Sequence, residues 1–244
     1  MIMDAIRIIH EPSDAEPFVV LEKKEGLPSA PLEDGDDCAL TRVMTLFPSL
    51  ADVEGRKKVE HGLVHRLDTD TDGLLLIAST QAFYNHIILA QKEGFFIKKY
   101  SARCKRSRCP LEGFPPCPVD VSGLSSGDSF ALSSGFRHFG ARGSSVRPVT
   151  GECSEVIRKK AAPGLYETNV KIISEDDSFV LVDCTISRGF MHQVRCHLSW
   201  CGLCIVNDRI YNPIEASGPM EFHATGLQFP LENGKTVCFG KISR

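Results

Sequence analysis

The chain has 244 residues, 42% of them hydrophobic and 24% charged, with a formal net charge of −3. That length suits one large domain or two small ones, and the charge balance gives no global sign of a nucleic-acid partner. No apolar run approaches the roughly 20 residues needed to span a bilayer as a helix. The opening MIMDAIRIIHEPSD carries early acids and no basic stretch ahead of an apolar one, so a secretory signal is not expected. An intracellular, cytoplasmic protein is the expectation. Its ten cysteines are then expected as reduced thiols in a chain long enough to bury its own core.

AIRIIHE and FVVLEKK read as two short strands joined by the turn PSDAEP, and EGLPSAP as a Gly/Pro loop. Residues 38–53 are weakly helical and broken by Pro48. GLLLIAS, a short apolar run between Gly73 and Ser79, predicts a buried strand. Thr80 is placed to cap a helix through QAFYNHIILAQKE that Gly94 stops. FFIKKYSARC alternates like a strand, whereas residues 107–164 are rich in Ser, Gly, Pro and Cys and predict loops with short strands. YETNVKIISEDDSFVLVDCTIS predicts two strands around an acidic turn, and HQVRCHLSWCG a short helix ending at Gly202. LCIVND and the stretch from MEFHATGLQF onward supply the last strands, with Asn233-Gly234 as a turn signal. Strands dominate without a βαβ rhythm, so the expected class is α+β with a mixed, largely antiparallel sheet flanked by helices and loops. No internal repeat and no separating linker are visible, and one domain over 1–244 is expected.

Two local features carry chemistry. KKYSARCKRSR (98–108) is strongly basic against the mildly acidic whole, compatible with phosphate contacts or with an ordinary solvated face. GLVHRLD (62–68) puts His65, Arg66 and Asp68 between two apolar runs, where ionisable groups are costly unless paired or reactive.

Six fragments, in order, resemble the RluA-type pseudouridine synthases. VHRLDTDTDGLLLIA is similar to that family's His-Arg-Leu-Asp and Thr-Ser-Gly signature, KKYSA to its Lys-x-Tyr-x-Ala strand, and RGFMHQVRCHL to its Gly-Arg-x-His-Gln-Ile-Arg-x-His-Leu segment. NDRIYN resembles Gly-Asp-x-x-Tyr-Gly, MEFHATGLQFP resembles Leu-x-Leu-His-Ala, and FVVLEKKEGLPSAP resembles the early strand and Lys-Pro-x-Gly-Leu-Pro loop. The resemblance covers most of the chain except about 107–164. It implies the pseudouridine synthase fold and isomerisation of a uridine in structured ribosomal or transfer RNA, with no cofactor and no metal.

The resemblance assigns Asp68 to the anomeric carbon, where it attacks as a nucleophile or stabilises and deprotonates a sugar intermediate. Arg195 is assigned as the cation that keeps it ionised. Tyr100 is assigned to stack on the uracil and take part in the final proton removal. His65, Arg66, Lys98, Arg188, His192 and Gln193 are expected at the RNA, with Arg66 filling the space of the extruded base and His65 fixing the turn. Three departures stand out: Asp72 where the family has Ser, Phe190 where it has Arg (with Arg188 on the other side of Gly189), and the unmatched 107–164. No separate N-terminal RNA-binding domain is expected, because the first matching strand begins close to Met1, and a monomer is assumed.

Rival readings concern other classes. A catalytically silent RNA-binding protein of the same fold would carry Asp72 and Phe190 as marks of decay. A thiol redox protein would use Cys201 and Cys204 of WCGLC, which resembles a thioredoxin motif. There, however, the first cysteine opens a helix, whereas Cys201 is expected at a helix C-terminus, where the dipole has the opposite sign. A zinc site from Cys104, Cys109, Cys117 and Cys153 is disfavoured by spacings that fit no tight knuckle.

Overall fold

The structure, a computed structural model, describes residues 5–107 and 111–240. In chain order the elements are β1 (Ile6–His10), β2 (Phe18–Lys23), α1 (Ala39–Leu46), β3 (Asp72–Ala78), α2 (Gln81–Glu93), β4 (Ile97–Arg106), β5 (Ser129–Phe139), β6 (Ser145–Val149), α3 (Glu155–Arg158), β7 (Tyr166–Glu175), β8 (Val180–Ile186), α4 (Gln193–Trp200), β9 (Leu203–Ile205), β10 (Phe222–Pro230) and β11 (Thr236–Gly240). This is the α+β, mixed-sheet class expected from the sequence. The chain forms two compact units: residues up to 98 together with those from 223 on, and residues 99–222.

In the first unit β2 lies antiparallel between β1 and β3, pairing Phe18 with Ala78 and Lys23 with Gly73. β10 runs parallel to β3, His223 opposite Asp72, and β11 folds back antiparallel on β10. β3 is buried along both faces, as its unbroken apolar run requires. Leu74, Leu76 and Ala78 pack with Phe18, Phe83, Ile87, Phe96 and Phe229 into one core. α2 supplies Phe83 and Ile87, and its ends follow the expected signals: Thr80 accepts from the Phe83 amide, and Gly94 takes φ +86°.

Gly73 is required where β3 meets β10. Its φ is +122°, and a Cβ there would lie 2.2 Å from the Ala224 carbonyl oxygen, so no side chain fits.

In the second unit β5 pairs antiparallel with β7 through Ser129–Ser134 and with β6 through Gly135–Phe139. β7 also pairs antiparallel with β8, and β9 with β4. The expectation of loops and short strands over 107–164 is corrected here, because β5 alone runs 11 residues. Its inward positions are Leu132, Ser134 and Phe136, and the serine breaks the apolar alternation that would have announced the strand. α4 is buried along its whole length.

Candidate active site

The Asp68 turn belongs to the first unit and is held mainly through its backbone. Thr71 N donates to the Asp68 carbonyl (3.0 Å) and Gly26 N to the Thr69 carbonyl (2.9 Å). Ser29 clamps Leu67 from both sides: its hydroxyl donates to the carbonyl at 2.7 Å and accepts from the amide at 2.9 Å. Lys23, at the end of β2 and fully buried, donates its ammonium to the carbonyls of Thr69 (3.1 Å), Leu27 (2.8 Å) and Lys24 (3.0 Å). Burial lowers its pKa to about 8, and the charges of Asp72, Asp68, Asp70 and Glu25 oppose the shift. His65 lies in the core with its Nε2 accepting from Leu76 N at 3.2 Å, tying the loop to β3. Burial, with Lys98 adding, depresses its pKa to about 3, so it stays neutral. Asp68 itself is half-buried, and Arg66 is exposed with Nη1 donating to Glu60 at 3.3 Å.

The second unit holds its charged group through side chains. Arg195, 3% exposed, donates Nε and Nη2 to the two oxygens of Asp208, both at 2.8 Å. Asp208 also accepts from Ile210 N (2.9 Å) and Tyr211 N (3.0 Å). Burial pushes the Asp208 carboxyl up, but the Arg195 bonds and charge with the two amides outweigh it and hold the pKa below the usual range.

A chain of hydrogen bonds fixes α4 beneath Arg195. Gln193 donates to the Glu167 carbonyl and Thr168 Oγ1, and its Oε1 accepts from Phe190 N. His197 bonds Ser134 Oγ and Thr168 Oγ1, each at 2.9 Å. Burial depresses the His197 pKa to about 3. His192 precedes the helix at φ +53° with Nδ1 3.3 Å from the Tyr211 hydroxyl. The Tyr100 ring is backed by Phe222, nearly parallel at 11° and 5.1 Å between centroids, which fixes its plane.

The residues expected at the RNA differ in their exposure. His65, Lys98 and Gln193 are interior groups. Lys98 is 4% exposed, with its ammonium 5.2 Å over the Phe96 ring and its pKa lowered to about 8 by burial, Arg56 adding. Arg66 and Arg188 are exposed and His192 half-buried. The basic stretch is also divided by the alternation of β4. Arg106 is committed to Glu175 (2.6 and 2.9 Å) and to the Val121 and Leu124 carbonyls, and Arg103 lies 3.6 Å over the Phe179 ring and 3.3 Å from Glu221. Lys99 stays exposed, and Arg108 lies outside the described residues.

Both departures in the motifs have structural partners. Asp72 lies 2.5 Å from His223 Nδ1, and Phe190 stacks on Phe136. The redox reading of WCGLC meets the opposite of what it needs. Cys201 closes α4, donates its thiol to the Leu198 carbonyl, and is pushed up to about 12 by burial, whereas a reactive thiol needs a depressed pKa. Of the cysteines considered for zinc, Cys104 is buried and Cys109 lies outside the described residues. Among the described residues no three His, Cys, Asp or Glu side chains gather as a metal site.

Sequence reasoning did not single out Lys23, Ser29, Asp208 or Phe222. Asp208 and Phe222 lie inside fragments that carried the resemblance. Lys23 ends β2 and Ser29 lies in the loop after it; both are inside FVVLEKKEGLPSAP, which also carried the resemblance, but nothing local in the sequence announces the bonds they make.

The first unit thus carries a carboxylate on a braced turn, and the second a buried arginine with its own counter-ion and a tyrosine ring backed by Phe222. The family described as RNA pseudouridylate synthase matches residues 17–200, a span with residues in both units. Among curated proteins, the chain is 26% identical over 227 residues to mouse "Pseudouridylate synthase RPUSD4, mitochondrial", covering 91% of this chain and 55% of that protein. It is 24% identical over 216 residues to "Ribosomal large subunit pseudouridine synthase D" of Buchnera aphidicola, covering 86% and 56%. The chain thus spans a little over half the length of these relatives. Its fold is shared with human RNA Pseudouridylate Synthase Domain Containing 1 (TM-score 0.68, 18% identity, 100% of this chain and 85% of that one). It is shared also with human RNA Pseudouridylate Synthase Domain Containing 4 (TM-score 0.62, 21% identity, 97% and 88%). The chain belongs to the RNA pseudouridylate synthase family, in its RluA-type branch.

Proposed function

We propose that this chain is an RNA pseudouridine synthase that isomerises a uridine in structured ribosomal or transfer RNA, its two units working as one catalytic domain with Asp68 as the catalytic carboxylate. The reaction breaks the bond from ribose C1′ to uracil N1, turns the base, joins C1′ to C5, and moves the C5 proton away as N1 takes one up. Nothing is oxidised or reduced, so the protein must supply placement and charge rather than a redox partner. The observation that carries the reading is the Asp68 turn, whose neighbouring carbonyls and amides are held by Lys23, Gly26, Ser29 and Thr71. A carboxylate carried on a turn whose backbone is held in this way suits attack at C1′, or deprotonation of a sugar intermediate.

In this reading Arg195 contributes positive charge to the reaction with its own geometry set by Asp208, Tyr100 presents a fixed ring to the uracil, and exposed Arg66 replaces the extruded base in the stack. RNA affinity falls with rising salt as phosphate contacts release counter-ions. The test is pseudouridine mapping of total RNA from cells with the gene, without it, and with only the Asp68→Asn form. A site lost in both the deletion and the Asn form supports the reading and names the substrate. Three identical maps, with the protein expressed, favour the catalytically silent RNA-binding alternative.

A further inference from the structure

We propose that Phe190, together with Tyr166 and His138, forms a stacking platform for an unpaired base of the bound RNA. The proposal rests on the RNA-directed reading above and deepens it by assigning a residue that selects single-stranded over paired nucleotides. Phe190 lies parallel to Phe136 at 6° and 5.2 Å between centroids. Tyr166 lies 5.1 Å from Phe190, and His138 5.8 Å from it. Phe136 is fully buried, Phe190 and Tyr166 are half-buried, and His138 is exposed, so the aromatic stack runs from the core to the surface. Its position is set by the backbone, because Phe190 N donates to Gln193 Oε1 at 3.0 Å.

Exposed cationic residues stand near its members in the chain: Arg188 two residues before Phe190, and Arg142, at φ +53°, in the turn that follows the strand carrying His138. The carboxylate next to Tyr166, that of Glu167, accepts a bond from Asn169 at 3.1 Å. A flat apolar ring beside cationic side chains is the arrangement that binds unpaired nucleotides, the base stacking and the phosphate pairing. A duplex keeps its base faces to itself. An arginine at position 190, as the family resemblance would have it, can reach a phosphate of paired or unpaired RNA alike. Phenylalanine at this point of the chain shifts the recognition to the base.

The test titrates a labelled single-stranded oligo-uridine RNA, and an RNA duplex of the same length, into the Asp68→Asn protein carrying Phe190→Leu or Phe190→Trp. Leucine keeps the apolar packing and loses the stacking face. The expected result is a loss of about tenfold in single-strand affinity for Phe190→Leu, retention for Phe190→Trp, and duplex affinity altered less than about twofold in either. Melting temperatures check that each variant is folded. Should Phe190→Leu not fold, exposed His138→Ala serves instead and is expected to show the same selective loss, smaller in size. The platform is overturned if the substituted protein that folds binds single strands as well as its parent, if it loses single strand and duplex equally, or if the parent prefers the duplex. Absent pseudouridine with a Phe190-dependent single-strand preference would remove the isomerase reading and leave the platform standing. Asp68-dependent pseudouridine with unchanged binding by Phe190→Leu would do the reverse.

Discussion

The Asp68 turn and the Arg195 segment solve the same problem by different means. Around Asp68 the chain is braced by groups that bond to backbone: a buried ammonium on three carbonyls, a serine hydroxyl on both polar groups of Leu67, a neutral imidazole on the Leu76 amide. Around Arg195 the bracing is side chain to side chain, a bidentate ion pair above a relay of Gln193, Thr168, His197 and Ser134. These braces act on backbone groups of the Asp68 turn. Ion-pair bracing makes the charged group part of the scaffold, so in the proposed reading stability and chemistry are coupled at Arg195 and expected to separate when a backbone brace near Asp68 is removed.

The largest expected effect removes both scaffolds together. His65 in one region and His197 in the other are neutral in the fold, each with a pKa near 3 against 6.5 for the free side chain. Between those values the unfolded chain binds the extra proton. Stability is therefore complete above about pH 6.5 and is lost as pH falls toward 3, at about 1.4 kcal/mol per pH unit for each histidine. Against a total of about 5–15 kcal/mol, the protein is expected to unfold before either histidine has titrated in the native state. Urea denaturation from pH 7 down to 4 measures the slope, and His65→Gln should remove about half of the histidine part of it. A slope unchanged by that substitution would place His65 in solvent contact.

Next in size is the ion pair. Asp208→Ala leaves a buried guanidinium without its bidentate carboxylate and is expected to cost about 3–5 kcal/mol, read as a fall in the urea midpoint. Replacing both partners, Arg195→Met with Asp208→Leu, should recover much of that stability because neither charge is then desolvated. The double variant should nevertheless make no pseudouridine. Recovered stability with recovered product would show that the arginine is scaffold alone.

Lys23 tests the other region in another pH window. Its pKa is about 8 in the fold against 10.5 when free, so the native state releases the proton first. This contribution is present above about pH 10.5 and lost as pH falls through 8, a span of about 3 kcal/mol. The stability difference between wild type and Lys23→Met should shift in favour of wild type by about that much from pH 8 to 10.5. Lys98, also near 8, titrates in the same window, and Lys98→Met separates the two. A difference that stays constant across this range would mean that Lys23 is not desolvated.

How much of this was legible in the sequence follows from the same contrast. The Asp68 turn announces itself because three ionisable residues interrupt apolar runs, and β3 and α2 because their apolar spacing and caps are unambiguous. Lys23 reads as a surface charge in EKKEG, since only the pairing of β2 with β3 and the loop beyond it bury its ammonium. The basic stretch misleads for a related reason: the partners that engage Arg106 and Arg103 are Glu175 and Glu221, 69 and 118 residues away. β5 is hidden by Ser134, whose inward hydroxyl is satisfied by His197. In each case the deciding partner is distant in the chain, and periodicity reports only on neighbours.

The smallest expected effect isolates backbone bracing from charge. Ser29 is 3% exposed and serves both polar groups of Leu67, the residue just before Asp68. Ser29→Ala removes no charge and almost no volume, but leaves a buried amide and a buried carbonyl to find other partners. The expected cost is about 1–2 kcal/mol, at the low end for such groups because a water can replace the hydroxyl. Its stability change should not vary with pH, unlike those of Lys23→Met and His65→Gln. If the turn places the carboxylate, turnover should fall by more than RNA affinity, since in the proposed reading the RNA is held by residues such as Arg66 rather than by Ser29. Equal losses in both would mean that Ser29 supports the fold as a whole, and the separation of chemistry from stability claimed for the Asp68 region would not hold.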